Sequence, residues 1–130
     1  IKMNLEGRKI IVNKSGKELV EMLNTPEGYR ELMPDSLQSF EVRDQGFKFS
    51  LKGMPEIALI IDEVTENQVT LKSASSSLDF ALKGMMNPIG ENQTEVQLLF
   101  EGKFNPFIKM MVEKPLKNFI DALTDNIEKI

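Results

Sequence analysis

Between Phe40 and Phe104 the apolar residues recur at every second position, and on either side of that stretch they recur every three to four. A period of two belongs to strands with one dry face, and a period near 3.6 to amphipathic helices. A chain that passes from the second to the first and back is α+β, with its helices segregated from a run of strands. Phe40 and Val42 open the alternation. Phe47, Phe49 and Leu51 continue it against Lys48, Ser50 and Lys52. An apolar run from Ile57 to Val64 follows, then Val69 to Lys72. Leu78, Phe80, Leu82, Gly84 and Met86 form the next series, and Val96, Leu98, Phe100, Gly102 and Phe104 the last. The segments between them are short: Asp44-Gln45-Gly46, Gly53-Met54-Pro55, Glu66-Asn67, Ser75-Ser76-Ser77, and a polar loop over 87–93. Short turns between consecutive period-2 runs predict antiparallel neighbours.

The flanks supply the helices. Asn4 to Val12 reads as a strand near an edge, with Gly7 as a bulge or bend. Ser15 and Glu18 have capping-box spacing ahead of Leu19, Val20, Met22 and Leu23. Thr25 and Pro26 open a second short helix carrying Tyr29, Leu32 and Met33, and Pro34-Asp35 stops it. Asn105-Pro106 caps a last helix to Ile130. Its apolar face runs Val112, Leu116, Phe119, Leu123, Ile127, Ile130. At about 1.5 Å per residue such a helix reaches about 37 Å, against a width of roughly 30 Å for six or seven strands. One helix therefore spans the dry face of the sheet. Pro115 lies inside it, and the missing amide predicts a kink or a split there. Gly84 and Gly102, at inward phase, permit sharp bending of the sheet.

Composition narrows the chemistry. The 130 residues suit one domain, 1–130. There is no Cys, His or Trp. This excludes disulfides, thiolate nucleophiles, Ser-His-Asp machinery and imidazole metal sites. Lys+Arg 16 against Asp+Glu 20 gives a net charge of -4, with no basic stripe of the kind a nucleic-acid binder needs. The longest clean apolar run, Ile57-Ala58-Leu59-Ile60-Ile61, is too short for stable membrane insertion. No basic-then-apolar signal segment opens the chain, so a cytoplasmic location is expected. No cofactor is implied.

A curved sheet and a nearly straight helix meet well at their ends and poorly in the middle. The space between is either filled by side chains or open as a pocket. The residues expected to point into it are Phe47, Phe49, Leu59, Ile61, Leu71, Phe80, Leu82, Leu98, Phe100, Met111, Phe119 and Leu123. Met54, Met85, Met86, Met110 and Met111 fall near element ends, where a cavity mouth would lie, and thioethers adapt to irregular apolar shapes. Polar candidates are few. Glu63 shares the phase of Ile57, Leu59 and Ile61, and a carboxylate facing an apolar cavity would have its pKa raised. Ser73 and Ser75 follow the phase of Val69 and Leu71, or belong to the adjoining turn. Asp35, Asp44 and Asp62 lack metal-ligand spacing and are assigned to caps, turns and surface.

The element order, together with Ser15-Gly16-Lys17-Glu18-Leu19-Val20, Leu32-Met33-Pro34-Asp35, Lys52-Gly53-Met54 and Asn105-Pro106-Phe107, resembles the START-related (SRPBCC) superfamily. That superfamily has the helix-grip fold of the polyketide-cyclase and birch-pollen-allergen families. The resemblance implies a hydrophobic cavity between the sheet and the long helix, taking a lipid- or polyketide-like ligand. Family enzymes often place His, Arg or Tyr in that cavity. Here His is absent and Tyr29 sits on a short helix. The expected function is non-covalent binding of a small hydrophobic ligand, and a homodimer is compatible with it. One alternative is a cyclase or dehydratase in which Glu63, Tyr29 or a serine moves protons. Another is an interaction module with a filled core.

Overall fold

A computed structural model describes residues 2–75 and 78–130. Ser76 and Ser77 of the expected serine turn lie outside the described residues. The elements run β1 (Lys2–Glu6), β2 (Ile10–Val12), α1 (Gly16–Leu23), α2 (Glu27–Arg30), β3 (Leu37–Arg43), β4 (Gly46–Leu51), β5 (Ile57–Val64), β6 (Gln68–Ser73), β7 (Asp79–Gly90), β8 (Gln93–Lys103) and α3 (Pro106–Glu128).

All strands join one antiparallel sheet in the order β1-β8-β7-β6-β5-β4-β3, with β2 also on β8. The first strand is two strands rather than one with a bulge. β1 pairs with 99–103 of β8 and β2 with 94–96. Between them the Gly7 amide donates to the Leu98 carbonyl at 2.8 Å, and Gln97 Nε2 donates to the Gly7 carbonyl at 3.0 Å. A Cβ at Gly7 would sit 3.0 Å from Thr124 Oγ1, so α3 packs close against the backbone at this break. The polar loop expected over 87–93 is mostly strand. β7 and β8 form one long hairpin, Pro88 opposite Thr94, with an irregularity before Gly90.

Local signals explain the helix ends. At α1 the Ser15 hydroxyl accepts from the Glu18 amide and the Glu18 carboxylate accepts from the Ser15 amide, both at 3.1 Å. Those bonds hold the Glu18 carboxyl below its ordinary value. At α3 the Asn105 side chain accepts from the Ile108 amide at 2.8 Å, with Pro106 in the first turn. α2 begins one residue later than expected, Pro26 being its cap, and Thr25 gives it no side-chain bond. α3 runs unbroken through Pro115, so of the kink or split expected there the split does not occur.

β3 and the β1/β2 pair form the two edges of the sheet, and α1 and α2 bridge them in sequence. α3 lies over the inner face. Its Leu116, Phe119, Ile120, Leu123 and Ile127 are buried with Phe47, Phe49, Leu71, Leu82, Leu98 and Phe100 of the strands. Its C-terminal half is anchored twice. Asn126 Nδ2 donates to the carbonyls of Leu32 and Met33 at 2.9 and 3.1 Å. Arg8 meets Asp125 at 2.6 Å and Glu128 at 2.9 Å. Its N-terminal half is bare by contrast: Phe107, Met110 and Met111 are 72%, 83% and 61% exposed.

Candidate functional site

The inner face carries a line of aromatic rings from the β3 edge to α3. Phe40 stacks on Phe47 at 5.1 Å between centroids, Tyr29 on Phe47 at 5.0 Å, and Phe49 on Phe119 at 5.6 Å. Phe47 and Phe49, tilted at 5.9 Å, connect the two halves. Arg30 lies 4.6 Å over the Phe40 ring and closes the outer end.

Beside this line is an apolar cavity of about 60 Å³. Of the twelve positions expected to point inward, Phe47, Leu59, Leu71, Leu82, Leu98, Phe119 and Leu123 line it together. Phe49 and Phe100 are buried in the surrounding core, and Ile61 packs against that core half-buried. Phe80 stacks on Phe100 at 5.4 Å and lines a different hollow. Met111 does not point inward. It lies about 80° around the helix from Phe119 and faces solvent. The strand pattern also misses part of the wall: Leu19 and Leu23 of α1, Tyr29 of α2, and Ile127 and Ile130 at the chain's end. The helical stripes at Leu19/Leu23 and Tyr29/Leu32/Met33 were the available signal.

A second space opens to solvent next to the first. It is a groove of about 400 Å³ between the β4–β5 turn and α3, lined by Pro34, Ser36, Leu51, Lys52, Gly53, Met54, Pro115, Asn118, Phe119 and Ala122. Gly53, with φ of 84°, makes the turn that forms one wall. Among the described residues Phe119 is the one that lines both spaces. The methionines divide. Met86 lines the cavity and Met54 the groove mouth, whereas Met85, Met110 and Met111 are exposed.

A third hollow, of about 660 Å³, lies where β1, β6, β7 and β8 end. Lys2, Lys72, Lys103, Asp79 and Glu101 line it, so both charge signs are represented.

The polar candidates do not converge on the cavity. A bulge between Ile61 and Glu63 inserts one residue and reverses the phase of β5. Val64 therefore takes the inward side opposite Val69, and Glu63 is exposed opposite Thr70. The Tyr29 hydroxyl donates to the Leu23 carbonyl at 2.6 Å, and burial raises its pKa above the ordinary 10.0. That phenol is a structural tie between α1 and α2. The Ser73 hydroxyl accepts from the Ser75 amide at 3.2 Å, as the turn reading had it. Among the described residues no group of three or more Asp, Glu, His or Cys side chains is placed to hold a metal ion. None of the described helices is long and apolar enough to cross a membrane.

A curved antiparallel sheet gripping a long terminal helix, with two short helices bridging its edges, is the helix-grip α+β fold. Solved structures share it over nearly the whole chain. A KanY protein aligns at TM-score 0.77 with 12% identity, over 99% of this chain and 97% of that one. A START superfamily protein from Mycobacterium smegmatis aligns at 0.66 with 12% identity, over 97% and 94%. Norcoclaurine synthase from Thalictrum flavum, in complex with dopamine and hydroxybenzaldehyde, aligns at 0.71 with 14% identity, over 99% and 86%. No protein-family profile and no curated protein sequence matches the chain. At these identities the likeness is one of fold, and the START-type resemblance holds at that level.

Proposed function

We propose that residues 1–130 act as one domain that binds a small hydrophobic ligand non-covalently between the sheet and α3. The observation that carries this reading is the shared position of Phe119. The cavity of about 60 Å³ is far below the roughly 300 Å³ of a drug-sized site, but it shares Phe119 in its lining with a groove of about 400 Å³. Turning the Phe119 side chain out of its stack joins the two into one cleft of ligand size. The walls on the cavity side are apolar, so affinity comes from area removed from water, at about 25 cal/mol per Å² before ordering costs. The likeness in fold to a synthase in complex with dopamine and hydroxybenzaldehyde supports a small-molecule reading of this fold.

A second reading, an interaction module with a filled core, is favoured by the small volume of the cavity itself. Two measurements separate them. Native mass spectrometry of protein purified from its own host looks for a co-purified lipid-like molecule. Titration with an environment-sensitive hydrophobic dye looks for saturable binding. A bound guest, or saturable dye binding enhanced in Phe119→Ala, supports the ligand site. Protein that is empty and does not bind dye in either form supports the filled core.

A further inference from the structure

The groove beside Phe119 has a chemistry that the apolar cavity lacks. Ten residues line it, and Lys52 is the one that carries a charge. The Lys52 ammonium has no ion pair among the described residues, and the side chains of Ser36 and Asn118 make no hydrogen bond there. The nearest acidic group further along that turn is committed elsewhere, Glu56 meeting Lys48 at 3.3 Å. One cation and two uncommitted hydrogen-bonding side chains thus ring the open end of a space whose inner end is Leu51, Phe119 and the apolar cavity behind them. The turn is fixed from below, because the Lys52 amide donates to the Ser36 carbonyl at 3.0 Å and ties the β4–β5 turn to the approach to β3. Lys52 and Ser36 are therefore held side by side by the backbone.

We infer that the ligand of this site is a single-chain amphiphile with a small anionic head of the carboxylate class. Its chain runs inward past Phe119 and its head sits among Lys52, Ser36 and Asn118. This inference rests on the proposed hydrophobic-ligand site and adds polarity and direction to it. The charge fits an anion and the depth fits one chain, since a groove of about 400 Å³ lies at the small end of ligand sites. A neutral hydrocarbon would leave the ammonium unpaired, and a cationic head would be repelled by it.

The test compares dodecanoate with its methyl ester, each below its aggregation concentration, by isothermal titration calorimetry. The wild-type chain is expected to bind the acid roughly fivefold more tightly than the ester at low salt, the upper range for a solvent-accessible ion pair. Added salt narrows that ratio. Lys52→Gln brings the ratio to about one, and Lys52→Arg restores it. Equal binding of acid and ester by the wild type, or an acid preference that persists in Lys52→Gln, overturns the inference and leaves the hydrophobic site standing. Binding of neither molecule, by wild type or by Phe119→Ala, overturns the site and the inference together.

Discussion

The ring of Phe119 on α3 stacks on that of Phe49 on β4, centroids 5.6 Å apart and planes 26° from parallel. Both rings are buried, and the contact fixes the middle of the helix over β4, one strand in from the β3 edge of the sheet. Phe119→Ala removes that contact along with a side chain that lines both cavity and groove. The expected cost is about 3–5 kcal/mol, as for other buried Phe truncations that cannot collapse. Urea unfolding reads this directly. A change under about 1 kcal/mol would show that the ring is not part of the core.

Two glycines in the sheet are expected to respond in opposite directions. A Cβ at Gly84 would meet Leu98 at 3.7 Å and Val69 at 3.9 Å, ordinary contact distances, and would intrude only slightly on the cavity. Gly84→Ala should stabilise by about 0.4–1 kcal/mol through the unfolded chain's lost freedom. A Cβ at Gly46 would lie 2.1 Å from the Leu59 carbonyl oxygen, backbone that cannot yield without breaking the β4–β5 pairing. Gly46→Ala should cost about 1–3 kcal/mol. Thermal and urea midpoints of the two variants should move apart, and a shared direction would contradict this account.

Thr124 is buried under the break between β1 and β2, and its Oγ1 is the one fully buried side-chain polar atom among the described residues that lacks a hydrogen-bond partner. A hydroxyl left dry and unpaired costs about 1–3 kcal/mol. Thr124→Val keeps the shape and removes the hydroxyl. We expect stability to rise by roughly 1 kcal/mol. A clear loss in chemical denaturation would mean that the hydroxyl is hydrogen-bonded in solution.

Arg8 donates to both oxygens of Glu128, at 2.9 and 3.1 Å, and to Asp125. These hydrogen bonds hold the Glu128 carboxyl below its ordinary 4.5. In the folded chain that carboxyl takes up a proton less readily than in the unfolded chain, so acid favours unfolding. The contribution is present in full above the ordinary carboxylate value and is lost as pH falls below it. Arg8→Gln should flatten the acid limb of stability between about pH 5 and pH 3 and leave the remaining carboxylates' dependence in place. Urea midpoints across that range check it. Parallel curves for the two proteins would remove the cluster's role.

Much of this architecture is written in the periodicities. The capping box at Ser15 and Glu18, the Asn105-Pro106 start of α3, and most of the alternations from Phe40 to Phe104 stand where their spacing puts them, because each depends on neighbours close in sequence, whereas Val42 at the start of the series is exposed. What escaped depends on one residue more or less. The bulge before Glu63 leaves no mark in an apolar run, yet it turns that carboxylate from the inner face to solvent. Met111 was misplaced because it sits beside the stripe through Val112 and Leu116, not on it. The volume between sheet and helix is a small difference between curvature and side-chain bulk. No one-dimensional pattern carries that difference, and so the site was legible as a location and not as a size.

The pairing of Met3 with Gly102 has a consequence for how the chain is made. The opening segment leaves the ribosome about a hundred residues before the strand it must join, a wait of roughly 5–20 s at ordinary translation speeds. The α3 helix, which covers the inner face, follows every strand in the chain, so that face stays uncovered until α3 arrives.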